Sequence, residues 1–292
     1  MPEVRLEGLV TLLEANRPTV QLADGTTYLC YLKGRIKRDI GRIMVGDRVQ
    51  FEPTDEGEAR IDAVLPRVNQ LLRPPVANVS GLLVVYSLAE PEGSLELLDK
   101  RLVMAHLTGL EAEIVISKTD VAKEYATIRD LAARYRKIGY PVWLVSTPRE
   151  EGIRELLDHQ RAGLWVLTGE SGVGKSTLLK ALLPDAEAAT QELSRIGRGQ
   201  QTTRWVRLYR MPAGYWLADS PGYTALETAV TDPWAILEAF AELQGWNCRF
   251  NDCLHGQEPG CGVVAAVQRG EVAEWRWRHY RKLISEWVKK SY

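Results

Sequence analysis

The chain has 292 residues, with 37 Lys and Arg against 38 Asp and Glu, a formal charge of −1 and 45% hydrophobic residues. This length accommodates two or three domains with filled cores, and the balanced charge excludes a uniformly basic nucleic-acid binder. No stretch approaches the ~18 apolar residues that span a membrane, and Met1-Pro2-Glu3 does not open a secretion signal, so a cytoplasmic protein without a membrane partner is expected.

From the N-terminus, Thr19 to Ala23, an Asp24-Gly25 turn and Thr26 to Leu32 predict a β-hairpin. Short strands are also expected at Arg48 to Glu52 and Ala59 to Val64, giving roughly five strands in a small barrel, for which an SH3-like form fits the composition equally well. Cys30 sits in the apolar run Tyr28 to Leu32 and reads as a small core residue. Between residues 33 and 48, Lys33, Arg35, Lys37, Arg38, Arg42 and Arg48 face only Asp39 and Asp47; alone such a patch reads as a solvated face, but with the basic runs at Arg195 to Arg210 and 269 to 290 it favours a polyanion partner.

Next come an expected strand at Glu113 to Ile116 and, at its carboxyl end, Ser117-Lys118-Thr119-Asp120. Asp120 can accept hydrogen bonds from guanine N1–H and the exocyclic amine, which adenine cannot supply, and Lys118 can lay its stem across the base or loop. A second apolar strand, Tyr140 to Val145, ends in Ser146-Thr147, where a backbone contact to guanine O6 is expected. The strand Leu164 to Leu167 then leads into Gly169-Glu170-Ser171-Gly172-Val173-Gly174-Lys175-Ser176, followed by Thr177, with a helix predicted from Lys175 to Leu183. That strand-loop-helix context is the one a phosphate loop needs, since its glycines turn N–H groups toward phosphate, Lys175 neutralises charge and Ser176 ligates Mg²⁺. After a flexible polar stretch, Gly197-Arg198-Gly199-Gln200-Gln201-Thr202-Thr203, the strand Tyr215 to Ala218 runs into Asp219-Ser220-Pro221-Gly222. One of Thr202 and Thr203 is expected to reach Mg²⁺, Asp219 to hold it through water, and the Gly222 N–H to face the γ-phosphate, as in a loop ordered by nucleotide. The arginine-rich run from Arg195 to Arg210 is assigned to this switch stretch. In an ordinary GTPase the phosphate loop precedes the base-reading motif; here it follows, so the domain is circularly permuted.

At the C-terminal end a helix is predicted from Asp232 to Leu243. Cys248, Cys253, His255 and Cys261 then offer three thiols and an imidazole. This donor set suits one closed tetrahedral Zn²⁺, structural in kind because no position stays open for water. A last helix, Glu271 to Lys290, places Trp277, Tyr280, Ile284 and Trp287 at helical spacing for a packed face, leaving its arginines for RNA. Arg269, Arg276, Arg278, Arg281, Lys282, Lys289 and Lys290 outnumber Glu271, Glu274 and Glu286 there.

The permuted order, Arg73-Pro74-Pro75-Val76-Ala77-Asn78-Val79, the Gly197-Arg198-Gly199 approach to Thr202-Thr203, and Cys248-Arg249-Phe250-Asn251-Asp252-Cys253-Leu254-His255 through Glu258-Pro259 to Cys261 together resemble the ribosome small subunit-dependent GTPase A family over essentially the whole chain. The resemblance implies an N-terminal oligonucleotide-binding barrel over residues 1–68, a permuted α/β phosphate-loop GTPase domain over 69–228 and a helical zinc-binding domain over 229–292. It also implies a monomeric GTP hydrolase, cycling between GTP and GDP with Mg²⁺, whose partners are the small ribosomal subunit and its rRNA, and whose slow turnover the subunit stimulates. Three positions depart from pattern: Ser117 stands where GTPases usually carry Asn, Tyr223 where many have a water-orienting Gln, and Gln201 where the family usually has His. An ATP- or GTP-dependent metabolic enzyme or transporter subunit would need a second substrate pocket, and no acid/base cluster outside the nucleotide motifs suggests one. A non-hydrolysing RNA-binding scaffold is compatible with the altered Ser117 and the missing Gln.

Overall fold

Alternating burial along the first strands lets the N-terminal sheet curl onto a core of its own. In the computed structural model, which describes residues 5–14, 17–32, 42–54, 58–122, 124–183, 206–219 and 232–288, these strands are β1 (Leu6–Glu14), β2 (Arg17–Gln21), β3 (Thr27–Leu32), β4 (Arg48–Pro53) and β5 (Ala59–Val64). β1 pairs antiparallel with both β2 and β4, and β3 runs parallel to β5, so the order β1-β2-β3-β5-β4 closes back on β1. Closure removes the exposed sheet edges and buries Val10, Val20, Cys30, Val49, Phe51 and Ile61 inside. Burial pushes the Cys30 thiol up to about 12, as befits a core residue. β1 carries no strict alternation in sequence because a register shift between Val10 and Leu12 bends it between two partners.

The barrel is tied to the next domain through a buried carboxylate. Asp47 accepts from Arg67 Nε and Nη2 at 2.7 and 2.8 Å and from the Met44 N–H at 2.7 Å, while Asn78 Nδ2 donates to Gly46 O at 2.9 Å. A two-stranded ribbon, β6 (Gln70–Leu71) with β7 (Val76–Ala77), follows and hands the chain to β8 (Val79–Ser87).

The central sheet adds β9 (Glu111–Ser117), β10 (Val142–Leu144), β11 (Leu164–Gly169), β12 (Arg207–Arg210) and β13 (Trp216–Asp219), in the order β10-β9-β8-β11-β13-β12. All neighbours are parallel except β12, which is antiparallel to β13 and also meets β1 through Leu12 and Arg207. Helices α1 (Leu95–Leu107) and α2 (Tyr125–Lys137) cover one face, and α3 (Ile153–Asp158) and α4 (Lys175–Leu182) the other. Hence β8 is apolar on both sides, with Leu82, Val84 and Tyr86 in one core and Leu83 and Val85 in the other. The arginine-rich stretch does not remain loop to its end: Arg207–Arg210 is strand β12, with Leu208 and Tyr209 buried.

The C-terminal region contains α5 (Pro233–Glu238), a 3₁₀ turn at Ala241–Leu243, α6 (Gly262–Gln268) and α7 (Glu274–Val288). The single helix expected from Asp232 to Leu243 is therefore broken. Phe240 leaves helical geometry at φ −110° and ψ 76° and drops its ring against Tyr280, 5.4 Å between centroids. Along α7, Tyr280 and Leu283 are buried and Trp277 and Ile284 pack beside them, as the periodicity predicts. The arginines are another matter. Arg276 is 3% exposed, donating to Asp99 Oδ1 and Glu242 Oε1 at 2.5 Å each and lying 4.4 Å from the Phe240 ring centroid. Arg269 and Arg278 stay at the surface in exposed pairs with Glu271 and Glu274, and Arg281 stacks on Trp277, so of the predicted basic face it is Arg276 that is withdrawn into the fold. The Trp287 side chain, Lys289 and Lys290 lie outside the described residues. Among the described residues, no helix is long and apolar enough to cross a membrane.

Candidate nucleotide and metal sites

The phosphate loop leaves β11 at Gly169 and enters α4 through Gly174. Gly172 adopts φ +82°, and a Cβ there would lie 2.5 Å from Pro91 Cγ, so only glycine lets the Leu88–Ser94 loop lie against it. Lys175 Nζ donates to the carbonyls of Gly169 and Glu170 at 2.9 and 2.6 Å, folded back into its own loop. Ser176 and Thr177 are exposed at the first turn of α4. Asp219, aligned with Leu167 across the β11–β13 pair, ends the neighbouring strand on the same side.

Electrostatics single out a residue that no motif marks. Burial, and then the guanidinium of Arg101, hold the Lys175 ammonium below its usual range, with Asp219 and Glu170 opposing. Arg101 on α1 is itself buried and depressed by burial, with Glu170 opposing. Two cations share this half-enclosed space, an arrangement that a bound polyanion relieves. In sequence Arg101 is one more charge in an amphipathic helix, and only its placement reveals it. Glu170 Oε2 also accepts from the Ser94 N–H at 2.5 Å, joining the phosphate loop to the start of α1.

On the base side, Ser117 Oγ lies 2.5 Å from Val173 O and 3.1 Å from Tyr86 O, so its one proton is shared between the phosphate loop and β8. The hydroxyl thus supports the loop that the absent Asn amide was expected to support. Lys118, at φ +56°, donates to Glu90 O at 2.8 Å and reaches over Gly174. Asp120 Oδ1 accepts from Ser146 Oγ at 2.8 Å, which fixes the rotamer of the carboxylate. Ser146 is fully buried and bonded in both directions to the Glu151 backbone, and the Thr147 carbonyl accepts from Glu150 N. Thr119 N reaches Val145 O at 3.3 Å, so the two base-side segments are stitched together. Gln201, Thr202, Thr203 and Gly222, with Gly197 to Gly199, Ser220, Pro221 and Tyr223, lie outside the described residues.

In the C-terminal domain, Cys248, Cys253, His255 and Cys261 bring their ligand atoms within 4.8 Å of one another. His255 Nδ1 is 3.6, 3.6 and 3.5 Å from the three sulfurs, and Cys248 and Cys261 Sγ are 4.0 Å apart. A tetrahedron with zinc bonds of about 2.3 Å to sulfur and 2.0–2.1 Å to nitrogen has edges of roughly 3.5–3.8 Å; the three His255–sulfur edges match, and the Cys248–Cys261 edge is slightly longer. Burial lowers the His255 imidazole, keeping it in the neutral ligand form. The Gly262 N–H donates to Cys248 Sγ at 3.2 Å, Trp277 Nε1 to His255 O at 2.7 Å and Tyr280 OH to Leu254 O at 2.7 Å. These contacts hold the ligand loop from outside the ligand set.

The RsgA GTPase family profile matches residues 64–229, more than half of the chain. This chain belongs to the RsgA GTPase family. It is 39% identical over 273 residues to the small ribosomal subunit biogenesis GTPase RsgA of Moorella thermoacetica, covering 92% of this chain and 93% of the relative. The namesake from Geobacillus thermodenitrificans is 40% identical, over 91% and 92% of the two chains. Among solved structures, YjeQ from Thermotoga maritima superposes with a TM-score of 0.81 at 35% identity, covering 98% and 99%, and YloQ, a circularly permuted GTPase, with 0.77 at 29%, covering 99% and 96%.

As an RsgA GTPase the protein is a GTP hydrolase, and the barrel, the permuted domain and the Cys3His region are the architecture of that family here. The permutation has a visible geometric result. β8, β9 and β10 precede β11 in the chain, and β11 pairs with β8, standing between them and β13. Beyond β13 the chain passes to the zinc-ligand domain, whose α7 returns to contact α1 through Arg276 and Asp99.

Proposed function

We propose that this GTPase acts on the small ribosomal subunit, coupling hydrolysis of GTP to a late step of its maturation, with slow turnover alone and faster turnover on the subunit. The observation that carries this is the extent of the similarity: relatives named small ribosomal subunit biogenesis GTPase RsgA match not only the catalytic domain but more than nine-tenths of the chain. Barrel, hydrolase and zinc region would form three units with boundaries near residues 68 and 228, acting as a cytoplasmic monomer on rRNA.

At the site, Asp120 held by Ser146 would accept the guanine N1–H and amine, Lys118 would lie along the base, and Ser146-Thr147 would approach O6. The Gly169–Gly174 backbone and Lys175, released from its loop carbonyls, would bind the phosphates, with Arg101 adding positive potential behind them. Ser176 and Asp219 have the oxygen donors that Mg²⁺ takes, and the ion with GTP would supply charge neutralisation at the β- and γ-phosphate oxygens. Gln201 is the candidate to orient the attacking water, and one of Thr202 and Thr203, with Gly222, to sense the γ-phosphate.

The test is GTP turnover with and without purified small subunits across low and moderate salt. At least ~10-fold stimulation is expected, as for completion of an active site by a positioned group, and it should weaken with salt as phosphate contacts are screened. Ser176→Ala should abolish turnover, whereas Gln201→Ala should lower stimulated turnover more than nucleotide affinity. Equal turnover with and without subunits would remove the subunit-coupled reading and leave a GTP-binding scaffold.

A further inference from the structure

A cleft of about 380 Å³ opens onto the zinc-ligand cluster: Cys248, Cys253 and His255 line one part of it, and Trp234, Trp246, Phe250, Gln244, Asn247 and Asn251 line most of the rest. We propose that it is a binding site for an unpaired nucleobase of RNA, stacked on the aromatic rings and read at its edge by side-chain amides.

The chemistry of the lining selects this occupant. Trp234 and Phe250 are 41% and 43% exposed, whereas Phe240 and Tyr280 of the same domain are fully buried. Leaving two large rings half in water is unfavourable, and both open on one cleft. Arg249, next in sequence, stacks on Phe250 at 5.5 Å from the ring centroid, so a cation lies against one of the two rings. Trp246 is anchored by its Nε1 donating to Glu242 O at 2.9 Å, and Gln244 Nε2 donates to Glu238 O at 2.8 Å, which leaves the Gln244 carbonyl oxygen as an acceptor. Asn247 and Asn251 are exposed and make no side-chain hydrogen bond among the described residues, so each keeps a paired donor and acceptor. Gly245, at φ +77° with nothing within 4 Å of where a Cβ would stand, leaves the rim open. Aromatic faces beside free amides, with an arginine against one ring, match how single-stranded RNA is recognised: the base stacks, its edge bonds to donors and acceptors, and the phosphate meets the cation. A paired helix presents no base to stack, and the proposed action on rRNA favours a base over a peptide, whose backbone could also pair with the amides.

The inference rests on the proposed action on rRNA, and it fails separately. Full-length zinc-loaded protein is titrated against labelled single-stranded RNA homopolymers of the four bases and against an RNA duplex of equal length, followed by anisotropy, with ultraviolet crosslinking to locate the bound base. Single strands should bind in preference to duplex and crosslink at Trp234 or Phe250. Trp234→Ala and Phe250→Ala should each weaken them by about tenfold, the scale of one lost stacking contact, and Trp234→Phe should recover most of it. Asn251→Asp, which removes a donor but no ring, should change the ranking of the four bases and not the fold. Crosslinks confined to the N-terminal barrel, or alanine variants that bind single strands like the parent, would overturn the proposal. Alanine variants that lose small-subunit binding yet keep single-strand affinity would give the cleft to a ribosomal protein, and so overturn it too. Intact base binding in a protein without affinity for small subunits would leave the cleft assigned and sink the ribosomal reading instead.

Discussion

The nucleotide site and the zinc-ligand cluster are built by opposite routes. All four zinc-type ligands come from residues 248 to 261, one short loop whose spacing alone brings three sulfurs and an imidazole together. The nucleotide site draws on residues near 94, 101, 117, 120, 146, 170, 175 and 219, carried by five parallel strands and two helices. A site made by one loop stands or falls with its ligands, whereas one made by a sheet is held by the hydrogen bonds between its segments. Arg276, reaching from α7 to Asp99 on α1, is the most buried of the polar contacts that couple the two, beside His279–Asp99, Lys282–Glu96 and Lys100–Glu286.

Removing the metal should have the largest effect and the most confined. Protein purified without chelators should contain about one Zn²⁺, and chelation or Cys253→Ser should forfeit on the order of 10 kcal/mol of local folding free energy, as in small zinc domains. Hydrogen exchange should then rise across residues 232–288 while GTP affinity holds. Loss of GTP binding together with the C-terminal domain would show that the two sites are not independently built.

Breaking the coupling comes next. Arg276→Met strips Glu242 of its cation and leaves the buried Asp99 only His279 and Tyr135, each at 2.6 Å, a change worth up to about 3–5 kcal/mol in comparable cases. Urea unfolding should register it, and Arg276→Lys should not repair it, because one ammonium cannot bridge both carboxylates while covering the Phe240 ring. A change under about 1 kcal/mol would mean that the other contacts between α1 and α7, His279 with Asp99 and Lys282 with Glu96 among them, suffice without it.

Within the nucleotide site, Asp120→Asn should weaken GTP by on the order of 100-fold, since guanine donors lose their acceptor, and shift preference toward xanthosine triphosphate. Competition binding with the two nucleotides measures this. Unchanged GTP affinity would remove Asp120 as the base reader.

The smallest effect is expected at Ser117. Ser117→Ala deletes one proton shared by two carbonyls, about 1 kcal/mol, and should lower GTP affinity several-fold through a loosened phosphate loop. Ser117→Asn should hold the loop at least as well if the amide can reach Val173 O from the same strand end. Affinity unchanged by both substitutions would show that the loop is fixed by Glu170 and Ser94 instead.

Much of the architecture was legible because local chemistry dictates it. The Gly169 to Ser176 loop, the Asp24-Gly25 turn and the cysteine spacing each prescribe backbone geometry or ligation within a few residues. Strand β11 and helix α4 fall where the motif demands them. The break at Phe240 was not legible, because a helical pattern from Asp232 to Leu243 is locally sound and yields only to the ring's burial against Tyr280 and Arg276. β12 was hidden for a similar reason: Arg-Leu-Tyr-Arg becomes a strand by pairing with β13, an edge the sequence does not display.

By itself, then, the sequence determined the order of the motifs and with it the permutation, the candidates proposed to read guanine and hold phosphate, and the composition of the Cys3His cluster, because each depends on side-chain chemistry at fixed short spacing. Tertiary structure alone decided that Arg101 would stand behind Lys175, that Ser117 would brace the phosphate loop, that Ser146 would orient Asp120 and that Arg276 would be buried, not offered to RNA. Those contacts join residues 26 to 177 positions apart, and only the packing of helices on the sheet, not any periodicity along the chain, brings such partners within bonding distance.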